Sequence, residues 1–219
     1  MPTRPDYRLA LFDFDGTLAD SHDWFLGVFD QVADRYGYRR LVPGDRERLR
    51  ALDTRAILRD LGLSMWKLPL IAQHLRELAA RDIAKIRLFP GAATMLAELD
   101  AAGLQVAVVS SNSEENVRYV LGPAASHVGR FACGAGLFGK AARVRAVLRA
   151  TSTDPRAAIV VGDEARDIAA ALAARTSSAA VAWGYADPRF LRRLSPTLFF
   201  ERMEEIAPAL TNGGRSRPF

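Results

Sequence analysis

Short apolar runs recur along this chain, and the segments between them have apolar residues at helical spacing. The runs cover residues 7–12, 104–109, 157–161, 179–183 and, more briefly, 198–200. Nearly continuous apolar runs of this length are typical of strands buried on both faces of a sheet. Segments with high helix propensity lie between them at 92–102, 140–150 and 164–175. This alternation predicts an α/β fold with a parallel, doubly wound sheet.

The segment from residue 19 to residue 87 breaks the alternation. Its apolar residues recur at helical spacing, and no part of it has the pattern of a strand. We interpret it as an all-helical insert in a core formed by residues 1–18 and 88–210. The tail at 211–219 is rich in Gly and Arg and is expected to be flexible.

Composition narrows the class of protein. The 219 residues, 49% of them hydrophobic, can bury a sizeable core, and no apolar run is long enough to span a membrane. A start without an apolar leader and a single cysteine, Cys133, favour a reducing, cytoplasmic location. The net charge of +5 comes from arginines spread along the chain, without an arginine-rich arm. A small anionic substrate explains that charge equally well, and without such an arm nucleic acid is not the expected partner.

Two carboxylates, Asp13 and Asp15, follow the first predicted strand, and Gly16 and Thr17 end it. Side chains at positions i and i+2 of an extended segment point the same way. Two like charges so close need a cation such as Mg²⁺ between them, or a proton on one of them. Such a pair can alternatively perform acid–base or nucleophilic catalysis. A strand that ends in a polar turn explains Gly16 and one aspartate, but not an aspartate between two phenylalanines.

Two further strand ends carry polar groups. Ser110 and Ser111 follow the run at 104–109, where hydroxyls and N–H groups can bind phosphate or cap the next helix. Asp163 and Asp167 follow the run at 157–161 and share a face of the next helix. The helix dipole alone would also favour acids there. Asp163 is the stronger candidate for a metal ligand, and Asp167 either binds the ion or orients a ligand.

Lys140, the only lysine in the second half of the chain, begins a predicted helix. Such a lysine is usually solvated, but it can also neutralise a phosphoryl oxygen. The glycines before it fit both G-x-G-x-x-G and G-x-x-x-x-G-K. We set both nucleotide-binding loops aside, because the preceding strand is weak and Ala141 lacks the hydroxyl that a P-loop requires. Glu164 and Arg166 are expected to face solvent or neighbouring residues.

Together these groups resemble the four ordered motifs of the haloacid dehalogenase (HAD) superfamily. Residues 13–20 match D-x-D-G-T-L-x-D, Ser110 ends a strand, a lone Lys140 precedes a helix, and residues 162–167 match G-D-x-x-x-D. The resemblance is to its capped, phosphoglycolate-phosphatase-like members. It implies a Rossmann-like core with helices on both faces, a small helical cap at 19–87 inserted after the first motif, and Mg²⁺ as cofactor.

The resemblance also implies a role for each residue. Asp13 would be the nucleophile and Asp15 the general acid and base. Ser110, Ser111 and Lys140 would bind phosphate. The metal ligands would be Asp13, Asp15 through its backbone carbonyl, Asp163 and, as a further candidate, Asp167. We therefore predict an Mg²⁺-dependent phosphatase that hydrolyses a small phosphorylated metabolite, a phosphate monoester, through an aspartyl phosphate.

The alternatives are related enzymes or a binding protein. A dehalogenase normally lacks the second acid, so Asp15 and Asp163 argue against it. A phosphonate hydrolase would need a lysine of the insert, Lys67 or Lys85. A phosphomutase shares all four motifs, and a catalytically idle binding protein would have little need of Asp13. Residues 39–59 carry seven arginines against three acids, which indicates a solvated helix face or a grip on the substrate anion.

Overall fold

The computed structural model describes residues 6–134, 136 and 139–211. Its strands are β1 (Leu9–Phe12), β2 (Ala19–Asp20), β3 (Arg87–Leu88), β4 (Gln105–Val109), β5 (Arg130–Ala132), β6 (Ala158–Gly162), β7 (Ser177–Val181) and β8 (Leu198–Phe200). Its α-helices are α1 (His22–Tyr36), α2 (Asp45–Arg50), α3 (Thr54–Asp60), α4 (Leu68–Arg81), α5 (Ala92–Ala101), α6 (Glu114–Leu121), α7 (Lys140–Ala150), α8 (Ala165–Ala174), α9 (Pro188–Arg193) and α10 (Ile206–Thr211).

A six-stranded parallel sheet in the order β5-β4-β1-β6-β7-β8 forms the centre of the molecule. Strand β1 lies inside it, with Leu9 opposite Gln105 on one side and Ala158 on the other. Because all six strands run in one direction, their carboxyl ends meet at one edge of the sheet. The predicted α/β fold is confirmed.

Helices cover both faces of this sheet, and the alternation of side chains along β1 shows how. Ala10 and Phe12 belong to the apolar core that includes residues of α5, α6 and α10. Leu9 and Leu11 point to the other face, where they pack with residues of α7 and α8. Burial on both faces explains why the strands have continuous apolar runs rather than alternating ones.

Helices α1 to α4 form the helical insert (residues 22–81), which follows β1 and β2 and precedes β3. It has its own apolar clusters, one around Val32 and Ile71 and another around Phe29 and Leu61. The expectation that the segment at 19–87 contains no strand is wrong, because β2 and β3 pair antiparallel at the base of the insert. Two residues per strand are too few to give a hydrophobic pattern.

Other boundaries differ from expectation for local reasons. Strand β7 begins two residues before the predicted run, because Ser178 is buried and pairs with Thr197 through backbone and hydroxyl groups. Strand β5 has three residues and gave only a weak signal.

Apart from Thr211, the predicted flexible tail lies outside the described residues. Across the residues that the structure describes, no helix has both the length and the apolar character needed to cross a bilayer.

Candidate active site

The carboxyl edge of the sheet brings together side chains that are far apart in sequence. Asp13 follows β1, Ser110 follows β4, and Asp163 follows β6. Asp13, Asp163 and Asp167 are buried, and each offers a carboxylate oxygen within 4.8 Å of the other two. Three of the predicted metal ligands therefore form one acidic cluster.

The two oxygens of Asp13 have different surroundings. Oδ1 accepts a hydrogen bond from the Phe14 N–H at 2.8 Å. Oδ2 lies 2.6 Å from Lys140 Nζ and 3.8 Å from Arg166 Nη2. One oxygen is held by the backbone, and the other faces two positive charges.

Lys140 lies between two aspartates rather than in solvent. Its ammonium contacts Asp13 and also donates a hydrogen bond to Asp167 Oδ1, and its side chain is 7% exposed. Burial disfavours the ammonium, but the charges of Asp13 and Asp167 outweigh this and raise the pKa of Lys140. The interpretation of Lys140 as a solvated residue at a helix start is wrong.

Asp163 and Asp167 are held by different partners. Asp163 Oδ1 accepts from the Thr17 hydroxyl at 2.8 Å, and its Oδ2 accepts from the Tyr185 N–H at 2.7 Å. Asp167 Oδ2 accepts from the Glu164 N–H at 3.0 Å, while its other oxygen contacts the lysine. Asp167 thus stabilises the start of α8 and orients the lysine at the same time.

The cluster contains more negative than positive charge. Asp13, Asp15, Asp163, Glu164 and Asp167 face the cations of Lys140 and Arg166. Burial, followed by the charges of Glu164 and Asp13, raises the pKa of Asp163 well above its usual range. Within the described part of the chain Asp163 has no ion-pair partner. Hard oxygen donors with an excess of negative charge fit a divalent cation such as Mg²⁺.

Gly16 allows the first and last motifs to approach each other. Its φ of +79° lies in the left-handed region, and a Cβ atom there would overlap the Asp163 carboxylate. Only glycine combines that backbone conformation with so close a contact. The glycine after Asp15 therefore has a structural role in forming the site.

Asp15 lines a cavity between the sheet and the helical insert. Its Oδ2 accepts from the Asn112 side-chain amide at 3.3 Å. Burial, and secondly the charge of Asp13, raise the pKa of Asp15 to about 6. A carboxyl group with this pKa can exchange a proton near neutral pH.

The serines after β4 are free of a capping role. Ser113, not Ser110 or Ser111, caps α6 by accepting from the Asn116 N–H at 3.2 Å. Ser110 is buried, and its oxygen accepts from the Asn112 N–H at 3.0 Å, which leaves its own hydrogen to donate. Ser111 lines the cavity.

Sequence reasoning missed Arg166. The expectation that it faces solvent or neighbouring residues did not place it at the acidic cluster, yet its side chain is only 17% exposed and reaches Asp13. Its Nε lies 2.7 Å from Glu164 Oε2. Local sequence gave no usable signal for Arg166, because Asp163 precedes α8 and the i, i+3 relation holds only between residues of one helix. Tyr185, whose N–H holds Asp163, follows β7 and so lies near the same edge of the sheet.

Other candidates lie outside this cluster. The glycine-rich loop before Lys140 is only partly described, because residues 135, 137 and 138 lie outside the described residues. Burial raises the pKa of the Cys133 thiol to about 12, which suits a packing role. Among the described residues, the one group with metal-ligand spacing is the aspartate cluster, and it contains no histidine.

Comparison with known proteins agrees with this geometry. The family model for haloacid dehalogenase-like hydrolases matches residues 10–181. A phosphoglycolate phosphatase from Synechococcus elongatus is 30% identical over 206 residues, which cover 93% of this chain and 97% of the relative. The tyrosine-protein kinase PtkA from Mycobacterium tuberculosis is 28% identical over 201 residues, 87% of this chain and 67% of the kinase. A crystal structure of a predicted phosphatase from Clostridium acetobutylicum shares the fold, with a TM-score of 0.79 at 16% identity, over 94% of this chain and 99% of that one.

Proposed function

This chain belongs to the haloacid dehalogenase-like hydrolase family and is a phosphoric monoester hydrolase, and from that premise we propose that it works through an aspartyl phosphate with Mg²⁺ as cofactor. Its substrate is a small phosphorylated metabolite. The observation that carries the proposal is the meeting of Asp13, Lys140 and Asp163 at one edge of the sheet. These three residues come from three separate motifs, and a purely structural role would not require them to converge.

Asp13 is the proposed nucleophile. One of its oxygens attacks phosphorus, the ester P–O bond breaks, and Asp15 gives its proton to the leaving oxygen. The Phe14 N–H holds the carboxylate in place, while Lys140 and Arg166 lie beside its other oxygen. The two cations neutralise charge on the phosphoryl oxygens, which is the main task of a protein in phosphoryl transfer.

The aspartyl phosphate is then hydrolysed. Asp15, now deprotonated, accepts a proton from water as the water oxygen attacks phosphorus and the bond to Asp13 breaks. Inorganic phosphate leaves, and Asp13 regains its carboxylate. The Ser110 hydroxyl and the Ser111 N–H bind phosphoryl oxygens in both steps, together with Lys140.

Asp13, the Asp15 backbone carbonyl and Asp163 are the proposed Mg²⁺ ligands, with Asp167 as a further candidate. When bound, the ion supplies positive charge to the phosphoryl oxygens and helps to orient the substrate. Residues 19–87 act as a cap over a core of residues 1–18 and 88–210, and exclude bulk water from the reacting groups.

The structure weighs against the phosphonate-hydrolase alternative, which requires a lysine of the insert at the substrate. Lys67 Nζ donates to the Tyr36 carbonyl at 2.6 Å, and Lys85 pairs with Asp82 and is 69% exposed. Neither lysine lines the cavity. A phosphomutase keeps the same residues and differs in passing the phosphoryl group to a sugar rather than to water.

Release of phosphate from p-nitrophenyl phosphate tests the proposal. With Mg²⁺ the purified protein should turn over this ester, and EDTA should abolish the turnover. Asp13→Asn should lower the rate by about 10³-fold or more, because it removes the nucleophile. Asp30→Asn, an exposed acid on α1, should keep the rate within about twofold. An Asp13→Asn protein that is folded and as active as the unmodified chain would refute the assignment.

A further inference from the structure

A cavity of about 350 Å³ lies between the helical insert and the carboxyl edge of the sheet, and we name it the insert cavity. Asp15, Ser111, Asn112 and Arg166 line its core side. Pockets of roughly 300–1,000 Å³ are typical of sites that enclose organic ligands. The insert cavity is therefore large enough for a substrate group and is continuous with the proposed site.

The wall that the insert contributes is largely apolar. All four of its helices take part, through residues such as Phe25, Leu49, Ile57, Ala72 and Leu75. Apolar groups gain free energy when such a surface removes them from water. A charged group would lose its hydration against these apolar residues without gaining hydrogen bonds from them. The wall thus favours an apolar ligand over an anionic one.

The positive charges around the insert cavity are engaged with the protein itself. Four arginines line it, Arg46, Arg50, Arg76 and Arg166. Arg50 and Arg76 donate to backbone carbonyls of the core at 3.1 and 3.3 Å, and the other two lie within 4 Å of carboxylates. Arg50 and Arg76 keep their charge, because their partners are neutral carbonyls, and Arg50 Nε is buried without a hydrogen-bond partner among the described residues. Apolar residues nevertheless form most of the lining, so a leaving group of several carbons would mainly contact apolar surface.

Asp15 connects the insert cavity to the chemistry. In the proposed function its carboxyl group protonates the leaving oxygen, and the same side chain lines the insert cavity. The alcohol part of the ester therefore extends from the phosphoryl group into this space. We propose that the phosphatase releases an uncharged, largely apolar alcohol of several carbons, aliphatic or aromatic, rather than a small acid such as glycolate. This inference rests on the proposed function and names the class of its substrate.

A series of linear alkyl phosphates tests the inference. With Mg²⁺, kcat/KM should rise from methyl through butyl to hexyl phosphate, by up to about fourfold for each methylene that enters the apolar wall. The kcat/KM for hexyl phosphate should also exceed the kcat/KM for 2-phosphoglycolate. Hexylphosphonate, which is not hydrolysed, should bind the unmodified protein more tightly than methylphosphonate in calorimetry.

Two matched variants locate the effect. Ala72 on α4 lines the insert cavity, whereas Ala80 on the same helix is exposed. Ala72→Phe should lower kcat/KM for hexyl phosphate at least tenfold, and by a larger factor than kcat/KM for methyl phosphate. Ala80→Phe should change neither value. Circular dichroism checks that both variants are folded. The calorimetry with the two phosphonates uses the unmodified protein, so it tests the inference even if a variant fails to fold.

The possible results separate the two proposals. If no ester in the series is hydrolysed, both the proposed function and the inference fail. If the esters are hydrolysed at rates that do not depend on chain length, or if 2-phosphoglycolate exceeds hexyl phosphate, the inference alone is refuted. Equal binding of the two phosphonates would also refute it.

Discussion

At Asp13 the two oxygens of one carboxylate have separate roles. The hydrogen bond from the Phe14 N–H fixes the carboxylate, and the neighbouring Lys140 and Arg166 draw its negative charge to one side. A phosphoryl group transferred to this oxygen would meet two cations at once. In the proposed reaction, Arg166 would therefore supply positive charge where negative charge develops.

Arg166→Met should lower kcat/KM for p-nitrophenyl phosphate by about 10²-fold, because a charge close to the phosphoryl group is lost. Arg166→Lys should recover part of this loss, since it keeps the charge but not the planar group. The control is Arg149→Met on the exposed side of α7, which should stay within about twofold. Steady-state rates of the variants are compared at equal folded fraction. An Arg166→Met enzyme with normal kinetics would exclude a role for the Arg166 charge in the reaction.

Residue type and position after a strand were enough to make Asp13 and Asp163 candidates, whereas Ser110 and Lys140 were assigned through the resemblance to the superfamily motifs. These side chains lie where parallel strands end or helices begin, so their neighbourhood follows from the fold. Arg166 could not be selected in this way, because an arginine in the first turn of a helix is ordinarily solvated. Its burial depends on the approach of Asp13, which local sequence does not show.

At the level of elements, four of the seven arginines in the segment at 39–59 fall into two groups. Arg39 and Arg48 both pair with Asp45 and Asp60, which ties the loop before α2 to α2 and α3. Arg46 and Arg50 instead line the insert cavity. Neither the solvated helix face nor the grip on a substrate anion describes the whole segment, since Arg39 and Arg48 join parts of the insert to one another.

The pairing of Asp60 makes the stability of the protein depend on pH. Arg48, and secondly Arg39, lower the pKa of Asp60 to about 2, below its ordinary value of 3.8. The ionised carboxylate therefore stabilises the folded state above about pH 4, and this contribution disappears as the pH falls toward 2. Asp60→Asn should lower Tm at about pH 6. The difference in Tm between this variant and the unmodified chain should be smaller at about pH 3.

Thermal unfolding followed by circular dichroism at several pH values measures this difference. Asp30→Asn, which removes an exposed acid of the same insert, should give a small shift in Tm at every pH. A Tm difference for Asp60→Asn that stays constant or widens as the pH falls would contradict the pairing.

The elements that the sequence predicted best are those with a helical pattern over several turns or a continuous apolar run of several residues. Helix α7 has the predicted bounds, and β1, β4 and β6 lie within two residues of their apolar runs. Strands β2, β3 and β5 have two or three residues each, which is too short for periodicity to show. They depend on partners that are distant in sequence, as in the pairing of Ala19 with Leu88.

At the scale of the whole molecule, hydrogen bonds join the insert to the core beside the candidate site. Arg50 O accepts from the Asp187 N–H at 2.8 Å, and Arg76 O accepts from the Asn116 side chain at 3.1 Å. These contacts join residues that are 137 and 40 positions apart in sequence. Hydrophobic patterning predicted that an insert exists and that it is helical, and the family assignment is confirmed. Hydrophobic patterning could not predict the insert cavity, because that cavity is formed only when the insert packs against the core.

The most direct test of the account is to detect the phosphorylated enzyme. Asp15→Asn protein is mixed with p-nitrophenyl phosphate and Mg²⁺, quenched in acid and digested for mass spectrometry. Because this leaving group needs little protonation, the first step should proceed while hydrolysis of the intermediate slows. The account predicts one phosphoryl group on Asp13, removed by hydroxylamine and missing in the Asp13→Asn/Asp15→Asn double variant. Release of p-nitrophenol with no phosphoryl group on Asp13, or with the group on another residue, would contradict it.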